Sequence, residues 1–304
     1  MNPSGTAAPP RPLDPGGPPA ARAAGGGSPA RLRRAGRRSL RAGGWGRTAV
    51  MAVLTAVVLV PVAVVPWNLV HPGDGFGGGA SWGSALQQAA RQVVGAFTGT
   101  DLPTWLWHSL LVTGATVLVS MLVAVPAGYT LARGRGRGVS GYALALFLVQ
   151  CFPVVMLVIP MFILLARYGL VDHLSGLTLV YIAVAVPVAT WMVSTSLAEV
   201  PHTLEQAAWL DGCSPFGAFV RIVVPAAAPA LLGAAMYTFV ITWNDYLIAA
   251  VFIHGAERLV LPLAQTGPGG GPVTAIVMMV PPLVGYAIGH ARFSVGGVAG
   301  ALVE

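Results

Sequence analysis

The stretch "LEQAAWLDGCSPF", Leu204 to Phe216, decides how the rest of the chain is read. It carries Glu205 and Asp211, turns at Gly212, and has long apolar runs on both sides. It is too short and too polar to cross a bilayer, which asks for about 20 mostly apolar residues. Its local signals are those of a helix, a corner and a second helix. Thr203 and Gln206 have the T-x-x-Q spacing of a capping box, which predicts a short helix from Leu204. Gly212 permits a left-handed stop, and Ser214 with Pro215 offers a second N-cap followed by a first-turn proline. Leu204, Ala207 and Ala208 share one face, small enough for another protein to approach closely.

The surroundings explain why such a piece must lie outside a membrane. Of 304 residues only 9% are charged and 55% are hydrophobic, where a soluble globular chain has about a quarter charged. Mean hydropathy is +0.74. Six long gaps separate the charged residues: Thr48–His71, Leu102–Ala132, Gly138–Ala166, His173–Ala198, Ile222–Asn244 and Leu259–Ala291. Each can supply a spanning helix. The expectation is an all-α integral membrane protein with six transmembrane helices. Pro126, Pro153, Pro160 and Pro187 fall inside these helices, where each removes a backbone hydrogen bond and can introduce a kink.

All 17 basic residues are arginine. A P-loop needs a lysine to reach the terminal phosphates, so an ordinary Walker A site is excluded. If ATP drives this protein, another polypeptide hydrolyses it. Cys151 and Cys213 fit neither a disulfide nor a metal motif, and burial is expected for both. No cofactor or metal site is expected. Residues 1–47, rich in Pro, Gly and Ala with nine arginines, read as a disordered tail. Beside a membrane helix those arginines point to orientation and attraction to anionic lipid rather than nucleic acid. With the N-terminus inside, fourteen arginines fall on the cytoplasmic side and three (Arg91, Arg167, Arg258) on the other. By the positive-inside rule both termini are then cytoplasmic. The expected organisation is a 1–47 tail, a first helix at 48–70, an extracytoplasmic loop at 71–104, a core at 105–292 and a cytoplasmic tail at 293–304. "GRGRG" at Gly134–Gly138 and "GPGGGP" at Gly267–Pro272 read as turns.

"LEQAAWLDGCSPFGAFVRIVVPAAAP", Leu204–Pro229, resembles the EAA loop of binding-protein-dependent ABC importer permeases. Ala207, Ala208, Asp211, Gly212, Arg221, Ile222 and Pro225 match its pattern. "FPVVMLVIPMFILLARYGLVD" (Phe152–Asp172), "TWNDYLIAAVF" (Thr242–Phe252), "LPLA" (Leu261–Ala264), "MMVPPLV" (Met278–Val284) and "RFSVGGVAGAL" (Arg292–Leu302) resemble the carbohydrate-type branch. The resemblance implies the type I permease fold, in the bacterial plasma membrane. It implies a second permease subunit in a heterodimer, two cytoplasmic ABC ATPase subunits and an extracytoplasmic solute-binding protein. The loop at 199–225 would be the coupling element. Glu205, Gln206, Ala207, Ala208, Asp211, Gly212 and Phe216 would then contact the ATPase. The family's motif glutamate aligns with Gln206, which has no charge to offer a basic partner, and Glu205 is the adjacent acid. The chain would be a permease and not itself an enzyme. A sugar is the implied solute; a polyamine or glycerol phosphate permease, or an ion-coupled secondary transporter, remain alternatives.

Asp245 is the acid placed within a membrane helix. At about 1.5 Å per residue from Leu231 it would lie about 21 Å across. A charge facing lipid there is costly, so it should face protein or water. Thr238, Thr242 and Asp245, with Asn244 on the flank, form one polar stripe at helical spacing. Two roles are open: lining a translocation path for a hydroxylated solute, or pairing with a polar group on a neighbouring helix.

Overall fold

The structure, a computed structural model, describes residues 44–70, 82–267 and 270–299. Two compact units are distinguished, one ending at Val60 and one beginning at Pro61, and the packing below belongs to the second. Within the described residues every element is helical. Helices α1 (Gly44–Val70) and α2 (Trp82–Gly99) precede four further stretches. These are α3 (Leu102–Arg133); α4 (Arg137–Cys151) with α5 (Val154–Arg167); α6 (Leu174–Ala198); and, after α7 (His202–Leu210), the run from α8 (Pro215–Ala218) through a π turn (Phe219–Val223) into α9 (Val224–Trp243). Short helices α10 (Leu247–Phe252) and α11 (Leu261–Ala264) lead to α12 (Pro272–Ala299).

Four helical runs are each long and apolar enough to span a membrane: Leu102–Arg133, Leu174–Ala198, Pro215–Trp243 and Pro272–Gly289. Two bent pairs, Gly46–Val60 with Val62–Val70 and Arg137–Cys151 with Val154–Arg167, bring the number to six if each pair is one span. Each of the six apolar gaps thus carries a helix, with corrections inside them. The Gly138–Ala166 gap is two helices meeting at 97°. Pro153 is therefore at a break and not inside a helix. It drives Phe152 into an extended conformation (φ −78°, ψ 127°) and ends α4 one residue earlier. Pro126, Pro160 and Pro187 do stay within helices.

The expected 71–104 loop contains α2, because its Ala- and Gln-rich run has no proline to stop a helix. Trp105, the residue after that loop, is buried within α3. At the other end α12 continues to Ala299, past the expected start of a tail at 293. Of the expected 1–47 tail, positions 1–43 lie outside the described residues and 44–47 are helical; 300–304 also lie outside. Cys151 is exposed and Cys213 half-buried, so neither is buried as expected.

The centre of the second unit is the contact between α3 and α6. Along α3, Ser109, Thr113, Thr116, Ser120 and Ala124 are buried, followed by Gly128, at spacings of three and four. Small residues on one face let two helix backbones close up, the usual solution where lipid gives no hydrophobic drive between helices. At Gly128 the approach is so close that a Cβ would lie 2.7 Å from Val193 Cγ1 and 3.0 Å from the Ser194 amide nitrogen. Towards the α7 end this interface continues into a cluster of Ala124, Ala189, Val193, Leu197, Val223 and Ala227. Towards the other end Val112, Leu177, Val180 and Tyr181 meet Ile248, Phe252 and Val260.

Gly128→Leu should overpack this contact and destabilise the protein by about 1–3 kcal/mol, read as a lowered thermal midpoint in detergent. Gly114→Leu, where a side chain meets nothing within 4 Å, is the control and should change little. Equal midpoints for the two variants would contradict the close approach.

Candidate functional site

The segment that opens the sequence reading forms helix, corner and helix, but begins differently. α7 starts at His202 with Pro201 at the N-cap (φ −58°, ψ 129°), and no side chain caps it. The Thr203–Gln206 capping box does not form, since Thr203 is already inside the helix and has lost the extended conformation an N-cap needs. The far end is as expected. Gly212 adopts φ +86°. Its amide donates to the Trp209 carbonyl at 3.0 Å, and the Cys213 amide reaches the Ala208 carbonyl at 2.9 Å. This is a Schellman stop. Ser214 Oγ then accepts from the Gly217 amide at 3.1 Å, capping α8 with Pro215 in its first turn. The chain passes through the π turn directly into α9, so the loop's second helix and the following span are one continuous run, Pro215–Trp243.

The seven residues assigned to the loop divide into two groups. Gln206, Ala207, Asp211, Gly212 and Phe216 are exposed. Leu210 between them is 89% exposed and Phe216 is 74% exposed, leaving an apolar tip on the loop. Ala208 and Glu205 are buried. For Glu205 this is a correction: its carboxylate faces inward, not towards a partner. Oε2 accepts from Tyr129 Oη at 2.7 Å and Oε1 from Arg133 Nε at 2.7 Å. Arg133 Nη2 donates to the Val200 carbonyl at 2.6 Å. A carboxylate with 0% exposure keeps its place only because a cation and a hydroxyl replace its lost water.

The polar stripe is also only partly as expected. Thr238 and Thr242 are buried on one face of α9, with Thr238 Oγ1 bonded to the Ala234 carbonyl. α9 ends at Trp243, however, so Asp245 lies in the break before α10 and not on the same helix. Its Oδ2 accepts from Tyr181 Oη at 3.0 Å and from the Ile248 and Ala249 amides at 2.9 and 3.4 Å. Asp245 therefore serves the first turn of α10 and pairs with α6, the second of the two roles left open. It also borders a cleft of about 240 Å³ with Tyr181, Val184, Ala185, Ile241 and Thr242. Asn244 is exposed and bonds back to the Val240 carbonyl at 2.9 Å; it does not border that cleft.

One polar cluster was not anticipated. Asp172, in the α5–α6 connection, has φ +60°. Its Oδ1 accepts from the amides of His254 and Gly255 at 2.9 and 2.8 Å, and its Oδ2 from Arg258 Nη1 at 3.0 Å. A Cβ at position 255 would lie 2.9 Å from Oδ2, so glycine there leaves room for the carboxylate. The Gly255 and His254 amides, with Arg258 adding a smaller effect, hold the Asp172 carboxyl below its usual range. The sequence signal was faint: an aspartate, which tolerates the left-handed region, soon after Gly169.

The profile of the family described as "Binding-protein-dependent transport system inner membrane component" matches residues 124–285. The trehalose transport system permease protein SugB of Mycobacterium tuberculosis is 32% identical over 218 residues, covering 68% of this chain and 80% of that protein. The diacetylchitobiose uptake system permease protein DasC of Streptomyces coelicolor is 32% identical over 163 residues, covering 54% and 59%. Among solved structures, a bacterial ABC transporter involved in the import of the acidic polysaccharide alginate superposes with a TM-score of 0.69 at 18% identity. That match covers 84% of this chain and 98% of the other, and it supports the helical architecture.

Because folding lowers the Asp172 pKa, its ionised form stabilises the fold at pH above the usual carboxylate range. That contribution is lost as pH falls through the depressed value. Asp172→Asn should therefore lower the thermal midpoint near pH 7, with the difference from the parent protein shrinking towards about pH 3. A difference that does not vary with pH would contradict this origin.

Proposed function

The chain belongs to the family of binding-protein-dependent transport system inner membrane components, and from that premise we propose that it imports a sugar by coupling to a separate ATPase through the Leu204–Phe216 loop. It is a multi-pass protein of the bacterial plasma membrane. The carbohydrate reading draws on the trehalose and diacetylchitobiose permeases among its relatives. In this reading a partner permease completes the path, two cytoplasmic ABC ATPases supply the energy and a solute-binding protein delivers the sugar. The arginine balance puts the loop on the cytoplasmic side. The observation that carries the proposal is the loop itself: a helix with a Schellman stop that exposes Leu210 and Phe216 at its tip. Apolar residues presented on a rigid element outside the span suit insertion into a groove on another protein. Gln206 meets that partner without a charge.

The cleft bordered by Tyr181, Thr242 and Asp245 is assigned to the translocation path. Among the described residues the three hydrogen bonds to the Asp245 side chain fall on Oδ2, so Oδ1 is the atom assigned to accept from a solute hydroxyl.

Three experiments test this reading. Labelled trehalose and diacetylchitobiose should be taken up in a vanadate-sensitive manner; uptake abolished by an uncoupler alone would indicate an ion-driven carrier. Gly212→Pro removes the amide that bonds Trp209 and forbids the positive φ. It should leave the subunit inserted but abolish ATPase co-purification and uptake together. Normal uptake by this variant would remove the loop from the coupling role. For the cleft, Asp245→Asn should retain most uptake and Asp245→Leu little; equal, near-normal uptake would take Asp245 out of the path.

A further inference from the structure

The buried carboxylate of Glu205 has a consequence beyond holding the loop in shape. Its partners Tyr129 and Arg133 are four residues apart and share one face in the last turns of α3. They come from 76 and 72 positions away in the chain. Around them the same end of α3 makes two further contacts. Arg133 bonds the Val200 carbonyl where α6 passes into α7, and the Tyr129 ring packs on Phe219 in the π turn at 4.6 Å between centroids. The loop is thus gripped at its entry, on α7 and at its exit by a helix to which it is not directly connected. Above the grip α3 is pressed against α6 at Gly128, and α6 carries Tyr181, the partner of Asp245 at the cleft.

We propose that Tyr129 and Arg133 are positioning residues that lock the loop to α3, so that the two move as one body. A push on Leu210 and Phe216 is then delivered to α3 and α6, and through them to the cleft. Without the lock it would be absorbed at two joints, Glu199–Pro201 and Gly212–Ser214. Guanidinium fits this task because its fixed fork serves Glu205 and the Val200 carbonyl together. The inference rests on the reading that the loop docks an ATPase.

The test uses the complete transporter co-purified with its ATPase, with Cys151 and Cys213 replaced by serine. A single reporter, Val184→Cys, lines the cleft. Its labelling rate by N-ethylmaleimide is measured without nucleotide and with ATP plus vanadate. Tyr129→Phe keeps the ring on Phe219 but removes the hydroxyl bond, and Glu205→Gln keeps the shape but removes the charge. Both variants should retain the ATPase in normal amount, with the nucleotide-dependent change in labelling reduced at least about fivefold, the low end of coupling between distant sites. An undiminished change in both variants would overturn the lock, and so would a reduction that only follows loss of bound ATPase. Leu210→Glu separates the underlying reading. If this variant keeps the ATPase and the full nucleotide response, the loop is not the docking element and the proposal falls with it.

Discussion

The buried carboxylate of Glu205 is the constraint on which the architecture at the loop end of the helices depends. Taking a carboxylate out of water is costly, and a cation beside it offsets that cost only with good geometry and further hydrogen bonds. Here the geometry is met by Arg133 Nε and Tyr129 Oη, each at 2.7 Å. Such a pair is weak evidence for net stability, because an apolar replacement could pack as well. Deleting one member is different, since it strands a buried charge at about 3–5 kcal/mol. The pair therefore acts chiefly on geometry: few other arrangements of the loop satisfy it.

A second constraint makes that fixed geometry useful. The small-residue face of α3 admits α6 so closely that Gly128 has no room for a side chain. Closely packed helices shift between discrete arrangements rather than deforming smoothly. The helices are interrupted elsewhere, at the 97° break between α4 and α5 and at the end of α9 before Asp245. Rigid contact at the loop and breaks near the cleft are the arrangement expected of a part that receives a force at one end and changes shape towards the other.

Much of this was legible in the residues. The six charge-free gaps marked the helical runs, because no other backbone arrangement survives in lipid except a closed barrel. Gly212 and Ser214–Pro215 marked the corner, since their conformational rules are local. What failed depended on distant partners. Nothing near Glu205 tells that Tyr129 and Arg133 will enclose it, so the acid was assigned to the surface. Asp245 was read as helical because the Thr238–Thr242 spacing extends to it, whereas its bond to Tyr181, 64 positions away, accompanies a break at Trp243. The capping box failed for a nearer reason: Pro201 supplies an N-cap conformation two residues before the expected cap at Thr203. Pro153 was visible, but proline alone does not distinguish a kink from a right-angled break.

The most direct test of a loop and α3 moving as one body is a distance. Spin labels at Leu122→Cys on α3 and Thr203→Cys on α7, both exposed positions, can be followed by pulsed electron paramagnetic resonance in the assembled transporter lacking Cys151 and Cys213. A single separation, unchanged between the nucleotide-free and the ATP–vanadate states, is the predicted result. A separation that shifts between those states would show the loop swinging independently of α3 and would contradict the account.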